Sequence, residues 1–147
     1  HVLDPVALLQ SLRNLVSPEG VAVVTVPNDY SAMQRKALEK KHIHQAFWVL
    51  PPDHLSYFDY TSLKNIASAT GWYCADLLGD FPVDLYLFHP GSNYVQKNSL
   101  GKDAHKARVD IENLISEKPA EHVIGLWRSL AQVGLGRNLT GFLIPEV

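Results

Sequence analysis

Residues 14–29 read Asn14-Leu15-Val16-Ser17-Pro18-Glu19-Gly20-Val21-Ala22-Val23-Val24-Thr25-Val26-Pro27-Asn28-Asp29. The order is helix end, tight Pro/Gly connection, and an apolar run that opens into Pro-Asn-Asp. Val21 to Val26 is nearly all β-branched, with Thr25 its one polar residue. Such a run predicts a strand covered on both faces, as in parallel sheets. Ligands of open α/β sheets gather at the carboxyl ends of the strands, so Asn28 and Asp29 stand where chemistry is expected.

Outward from this stretch, Asp4 can cap a helix beginning at Pro5, and Val6, Leu9, Leu12, Leu15 and Val16 recur at helical spacing through it. Downstream, Ser31 to Lys41 is charged and weakly amphipathic, a surface helix or a cover. His42 to Tyr60 concentrates aromatic and histidine side chains around Pro51-Pro52 and reads as a structured loop. Asp59 or Thr61 starts a helix that Gly71 ends. Trp72 to Leu78 reads as a strand, and Val83 to Phe88 as a short strand or helical turn. Helices over Asp103 to Glu117 and from Pro119 onward precede a closing strand, Thr140 to Ile144.

The 147 residues suffice for one domain with a real core. The net charge of −2 offers no broad attraction to nucleic acid or an anionic membrane, and no apolar run approaches the roughly 20 residues of a membrane helix. The single cysteine, Cys74, cannot form an internal disulfide and fits a reducing, cytoplasmic setting. The chain opens at His1-Val2-Leu3-Asp4-Pro5, without a methionine, and reads as a fragment of a longer chain.

Four phrases in order carry a resemblance: His1-Val2-Leu3-Asp4-Pro5; Leu15-Val16-Ser17-Pro18-Glu19-Gly20; Val24-Thr25-Val26-Pro27-Asn28; and Asp53-His54-Leu55-Ser56-Tyr57-Phe58 with Leu63 and Gly71-Trp72. The chain resembles the carboxyl-terminal half of class I S-adenosylmethionine-dependent methyltransferases. The tail from Phe81 to Arg137 resembles a sub-group with a helical segment, here 99–133, before the last strand. The resemblance implies a partial Rossmann-like three-layer α/β sandwich, the later strands of a mostly parallel sheet, in one domain spanning 1–147. It implies S-adenosylmethionine as cofactor and a small-molecule methyl acceptor. The family's glycine-rich loop between a strand and a helix is absent. Gly134-Leu135-Gly136 follows a helix and is no substitute, so this chain alone is expected to be inactive. If the earlier strands are missing, the edge of Val21 to Val26 is open to self-association.

For methyl transfer the protein aligns the acceptor and, where a proton must leave, supplies a base. By resemblance His1 sits at the end of the fourth strand beside the methyl position, as a catalytic and cofactor-side residue. His54 comes from the aromatic loop over the same pocket, and histidine as a residue type is suited to proton transfer near neutral pH. The plain alternatives are a frayed terminus for His1 and a loop-holding hydrogen bond for His54. Asn28, Asp29, Tyr57 and Tyr60 flank the strand's carboxyl end as candidate acceptor contacts, although Asp29 also suits a turn or helix cap. Arg137 could meet an anionic acceptor such as phosphate or carboxylate. His42-x-His44 with Asp53-His54 lacks the spacing of a metal site. Trp48, Phe47 and Trp127 lack the interleaved basic residues of a nucleic-acid platform. A second reading stays open, in which the chain is a non-catalytic α/β interaction module docking through Ser99 to Val133.

Overall fold

A computed structural model describes residues 2–146. Helix α1 (Pro5–Arg13) starts as its sequence predicts: Asp4 Oδ1 accepts from the Ala7 amide at 2.9 Å, and proline occupies the first turn, where no amide is needed. It ends three residues earlier than the apolar spacing suggests, because Pro18 draws the chain out of helical geometry, and Leu15 is left 81% exposed. Leu9 packs with Ala67, Trp72 and Leu143, and the Trp72 indole donates to the Leu9 carbonyl at 3.0 Å. Arg13 ties the helix to the Gly71 and Glu146 carbonyls.

Three strands form the sheet: β1 (Ala22–Pro27), β2 (Trp72–Gly79) and β3 (Asn138–Pro145), in the order β1-β3-β2. Both pairings are antiparallel, which corrects the expectation of a mostly parallel sheet. The last strand returns between the two earlier ones and reverses every pairing. β1 and β2 point the same way without touching. An apolar run encodes burial, not the direction of its neighbour, so sequence pattern could not decide this.

Cover on both faces is also corrected. Ala22, Val24 and Val26 face α1 and α3, whereas Val21 and Val23, on the alternate face, are 53% and 60% exposed. β3 alternates strictly, with Leu139, Gly141 and Leu143 buried. On its more open face Thr140 lies opposite Thr25, their hydroxyls 2.9 Å apart.

Helix α2 (Ala32–Glu39) is closed by a reciprocal capping box between Ser31 and Gln34. The loop that follows contains a cis Pro51-Pro52 bond. With a 3₁₀ turn at Val83–Phe88 it builds a second core from Ala37, Ile43, Trp48 and Leu87. Helix α3 (Tyr60–Ala69) has its own capping box, Asp59 with Ser62, and stops at Gly71 in the left-handed region, φ 81°. Helices α4 (Gly101–Ser116) and α5 (Ala120–Gln132) lie between β2 and β3 in sequence.

Arg128 of α5 grips Asp76, beside the bulge in β2, with two hydrogen bonds of 2.9 and 2.7 Å. Gly79 and Gly136 let the end of β2 meet the turn before β3: a Cβ on Gly136 would sit 2.7 Å from the Gly79 Cα. Among the described residues no helix is long and apolar enough to cross a membrane.

Candidate functional site

Pro27 ends β1, and the chain passes through Asn28 and Asp29 before Ser31 caps α2. Both residues are almost fully buried, 1% and 3% exposed. The Asn28 amide donates to the Arg137 carbonyl at 2.9 Å, and its side-chain Nδ2 to the Gly136 carbonyl at 2.7 Å. Asn28 thus staples the β1 end to the turn before β3. The Asp29 amide donates to the Phe58 carbonyl at 2.9 Å, which brings the aromatic loop down beside the strand end.

A cleft of about 410 Å³ opens here between α1, β1, α3 and that loop. Its walls are apolar, including Leu9, Val24, Val26, Leu63 and Ile66. Asp29, His54 and Ser56 are the polar side chains among the residues lining it beyond β1. Asp29 is therefore no helix cap, since Ser31 holds that position through the Gln34 amide; its carboxylate is buried at the cleft.

Arg137 Nη1 reaches Asp29 Oδ1 at 3.4 Å, with the guanidinium side chain 24% exposed. Burial pushes the Asp29 carboxyl above its ordinary value. Arg137 and, more weakly, His54 pull it back, and Asp84 adds to the upward push. Asp84, 2% exposed, belongs to the 3₁₀ turn and accepts from the Tyr94 hydroxyl at 2.6 Å. Burial, reinforced by Asp84, holds the Tyr94 phenol far more firmly protonated than usual, and Arg137 opposes this. Arg137 thus interacts electrostatically with both Asp29 and Tyr94.

The fold brings Asp29 and His54 to one cleft, with Arg137 behind Asp29. The other candidates lie elsewhere. Tyr57 braces the loop: its hydroxyl donates to the His54 carbonyl at 2.9 Å and its ring packs edge-on to Tyr30. Tyr60 opens α3 and packs toward the Leu63, Leu77, Ala131 and Leu139 core, with Lys64 over its ring at 5.4 Å. His1 lies outside the described residues. Cys74 is half-buried, and burial pushes its thiol up, away from a reactive thiolate. Among the described residues no group of three or more His, Cys, Asp or Glu side chains could hold a metal ion.

Sequence reasoning missed Asp84 and Tyr94. The available signal was a lone acid inside the apolar run Phe81-Pro82-Val83-Asp84-Leu85-Tyr86-Leu87-Phe88. A charge in such a run is either exposed or paired, and only the fold reveals which.

No curated protein matches this sequence. A family model described as a methyltransferase domain matches residues 1–77, a span holding α1, β1, α2, α3 and the loop that carries His54. It covers more than half of the chain, and a general role in methyl transfer follows from it. The chain belongs to the methyltransferase-domain family, of the class I S-adenosylmethionine-dependent type.

Proposed function

We propose that this chain forms the acceptor-side wall of a methyl-transfer site, with S-adenosylmethionine as donor and a small molecule as acceptor. The observation that carries this reading is one apolar cleft lined by a buried carboxylate, Asp29, and an imidazole, His54, at the carboxyl end of β1. We take the three strands to be one flank of a Rossmann-like sheet, a view supported by the shared direction of β1 and β2 and by the outer edge of β1, which pairs with no described strand.

The residues present suit only part of such a cofactor. Val24, Val26, Leu63 and Ile66 offer an apolar wall. The connection from β1 into α2, however, runs Asn28-Asp29-Tyr30-Ser31 with no glycine, and Asp29, the acid at that strand end, is already paired with Arg137. A complete cofactor site is therefore not built from the described residues, and none of the steps below depends on its geometry. The cofactor, when bound, supplies an electrophilic methyl group.

The chain's own residues do three things. The apolar wall excludes water from the acceptor. Asp29, held by Arg137 at 3.4 Å, orients the acceptor. The His54 imidazole takes the proton that leaves the acceptor oxygen or nitrogen as that atom gains its methyl group.

The test is label transfer from S-adenosylmethionine, by the native gene product carrying residues 1–147, to panels of hydroxyl- and amine-bearing acceptors. His54→Gln should lower kcat by about 100-fold or more, the usual range for a general base, with calorimetric affinity for S-adenosylhomocysteine unchanged. Residues 1–147 alone should show no saturable heat with that ligand. Undiminished turnover in His54→Gln, or tight binding by residues 1–147 alone, would overturn the assignment.

A further inference from the structure

The charge arrangement behind the cleft narrows the acceptor class. Arg137 pairs with the nearly fully buried Asp29 at 3.4 Å, and among the described residues lining the cleft Asp29 is present and Arg137 is not; Asp84, also nearly fully buried, accepts from the Tyr94 hydroxyl and adds its negative charge to the surroundings of Asp29. An anion entering the cleft would therefore meet the Asp29 side chain before Arg137. An incoming phosphate or carboxylate would compete with Asp29 for the arginine and would lie beside that carboxylate in a weakly polar pocket, where like charges repel strongly.

The Asp29 carboxylate accepts from Arg137 at Oδ1, and the residue, 3% exposed, lines the cleft. A carboxylate at the wall of an apolar cleft is better satisfied when a ligand brings it a hydrogen-bond donor than when the ligand brings another acceptor. The adjacent walls, Leu63, Ile66 and Val26, ask for an apolar body.

We infer that the acceptor is a neutral or cationic molecule that presents a hydroxyl or amine hydrogen to Asp29 and an apolar face to Leu63 and Ile66, and that Arg137 serves as the partner of Asp29 rather than binding an anionic acceptor. This inference rests on the methyl-transfer reading for the word acceptor, but the ligand preference itself is independent of it.

Three probes of one shape separate the alternatives: benzylamine, benzyl alcohol and benzoate, titrated into the protein without cofactor. Binding is followed through the methyl resonances of Leu63 and Ile66. Benzylamine and benzyl alcohol should shift these signals, with benzylamine bound at least about tenfold more tightly than benzoate. Asp29→Asn, which keeps the shape and removes the charge, should abolish the preference for benzylamine over benzoate while leaving benzyl alcohol within about threefold. Benzoate binding as well as benzylamine, an unchanged preference in Asp29→Asn, or no shift with any probe would overturn the inference. None of these outcomes bears on label transfer, so failure here is distinguishable from failure of the methyl-transfer reading.

Discussion

Replacing Arg137 with Met would remove the cation that offsets the burial of Asp29 and leave the aliphatic bulk of the side chain largely in place. Breaking a fully buried ion pair from one side costs about 3–5 kcal/mol. Here the contact is long, 3.4 Å, and the arginine side chain is 24% exposed, so the loss should be nearer about 2–3 kcal/mol at neutral pH. The pH dependence carries the sharper test. Burial raises the Asp29 carboxyl above 3.8 in the folded state, and without Arg137 it rises further. A folded-state value above the unfolded one means that the folded state holds the proton longer. Asp29's contribution is then most favourable below 3.8 and declines as pH climbs through the folded value. The penalty of Arg137→Met relative to wild type should therefore shrink toward pH 4 and be greatest near pH 7 in urea titrations. Adding Asp29→Asn to Arg137→Met should recover at least about 1 kcal/mol near pH 7 through coupling of the two sites. A penalty equal at both pH values, or no recovery in the double variant, would refute the electrostatic account and leave Arg137 as packing alone.

Gly136→Ala would push a methyl group to within 2.7 Å of the Gly79 Cα; we expect a loss of about 1–3 kcal/mol in urea denaturation, typical of overpacking against backbone. Asp59→Ala removes the α3 cap and should cost about 1 kcal/mol, with Asp59→Asn much milder. The Ser62 amide and hydroxyl hold the Asp59 carboxyl below its ordinary value, so the contribution of its charge should be present above 3.8 and fade as pH falls through the lowered value. That fading is measurable as a smaller Asp59→Asn effect in acid. We also propose that residues 1–147 by themselves self-associate through the outer edge of β1, beside the exposed Val21 and Val23. Light scattering should show concentration-dependent mass that Val23→Lys suppresses, and a clean monomer at high concentration would count against it.

Local signals settled much of this protein from sequence alone. Asp4-Pro5 and Asp59 start helices, and Gly71 and Gly134 stop them, because caps and left-handed residues are short-range chemistry. The β-branched run at 22–26 names a strand, and its carboxyl end holds Asn28 and Asp29 for the same reason. Methyltransferase kinship was likewise legible, since it rests on ordered phrases within residues 1–77.

Tertiary structure alone decided the rest. The place of β3 between β1 and β2 depends on a contact more than a hundred residues distant in sequence, and no local pattern carries it. Val23 looked as buried as Val24, yet they alternate across a sheet with only one face well covered near β1. Asp29 could have been a cap until Ser31 took that role, and Arg137 could have awaited an anion until the fold set the buried Asp29 beside it. Charge and burial are properties of neighbourhoods, and those neighbours meet only when the chain closes.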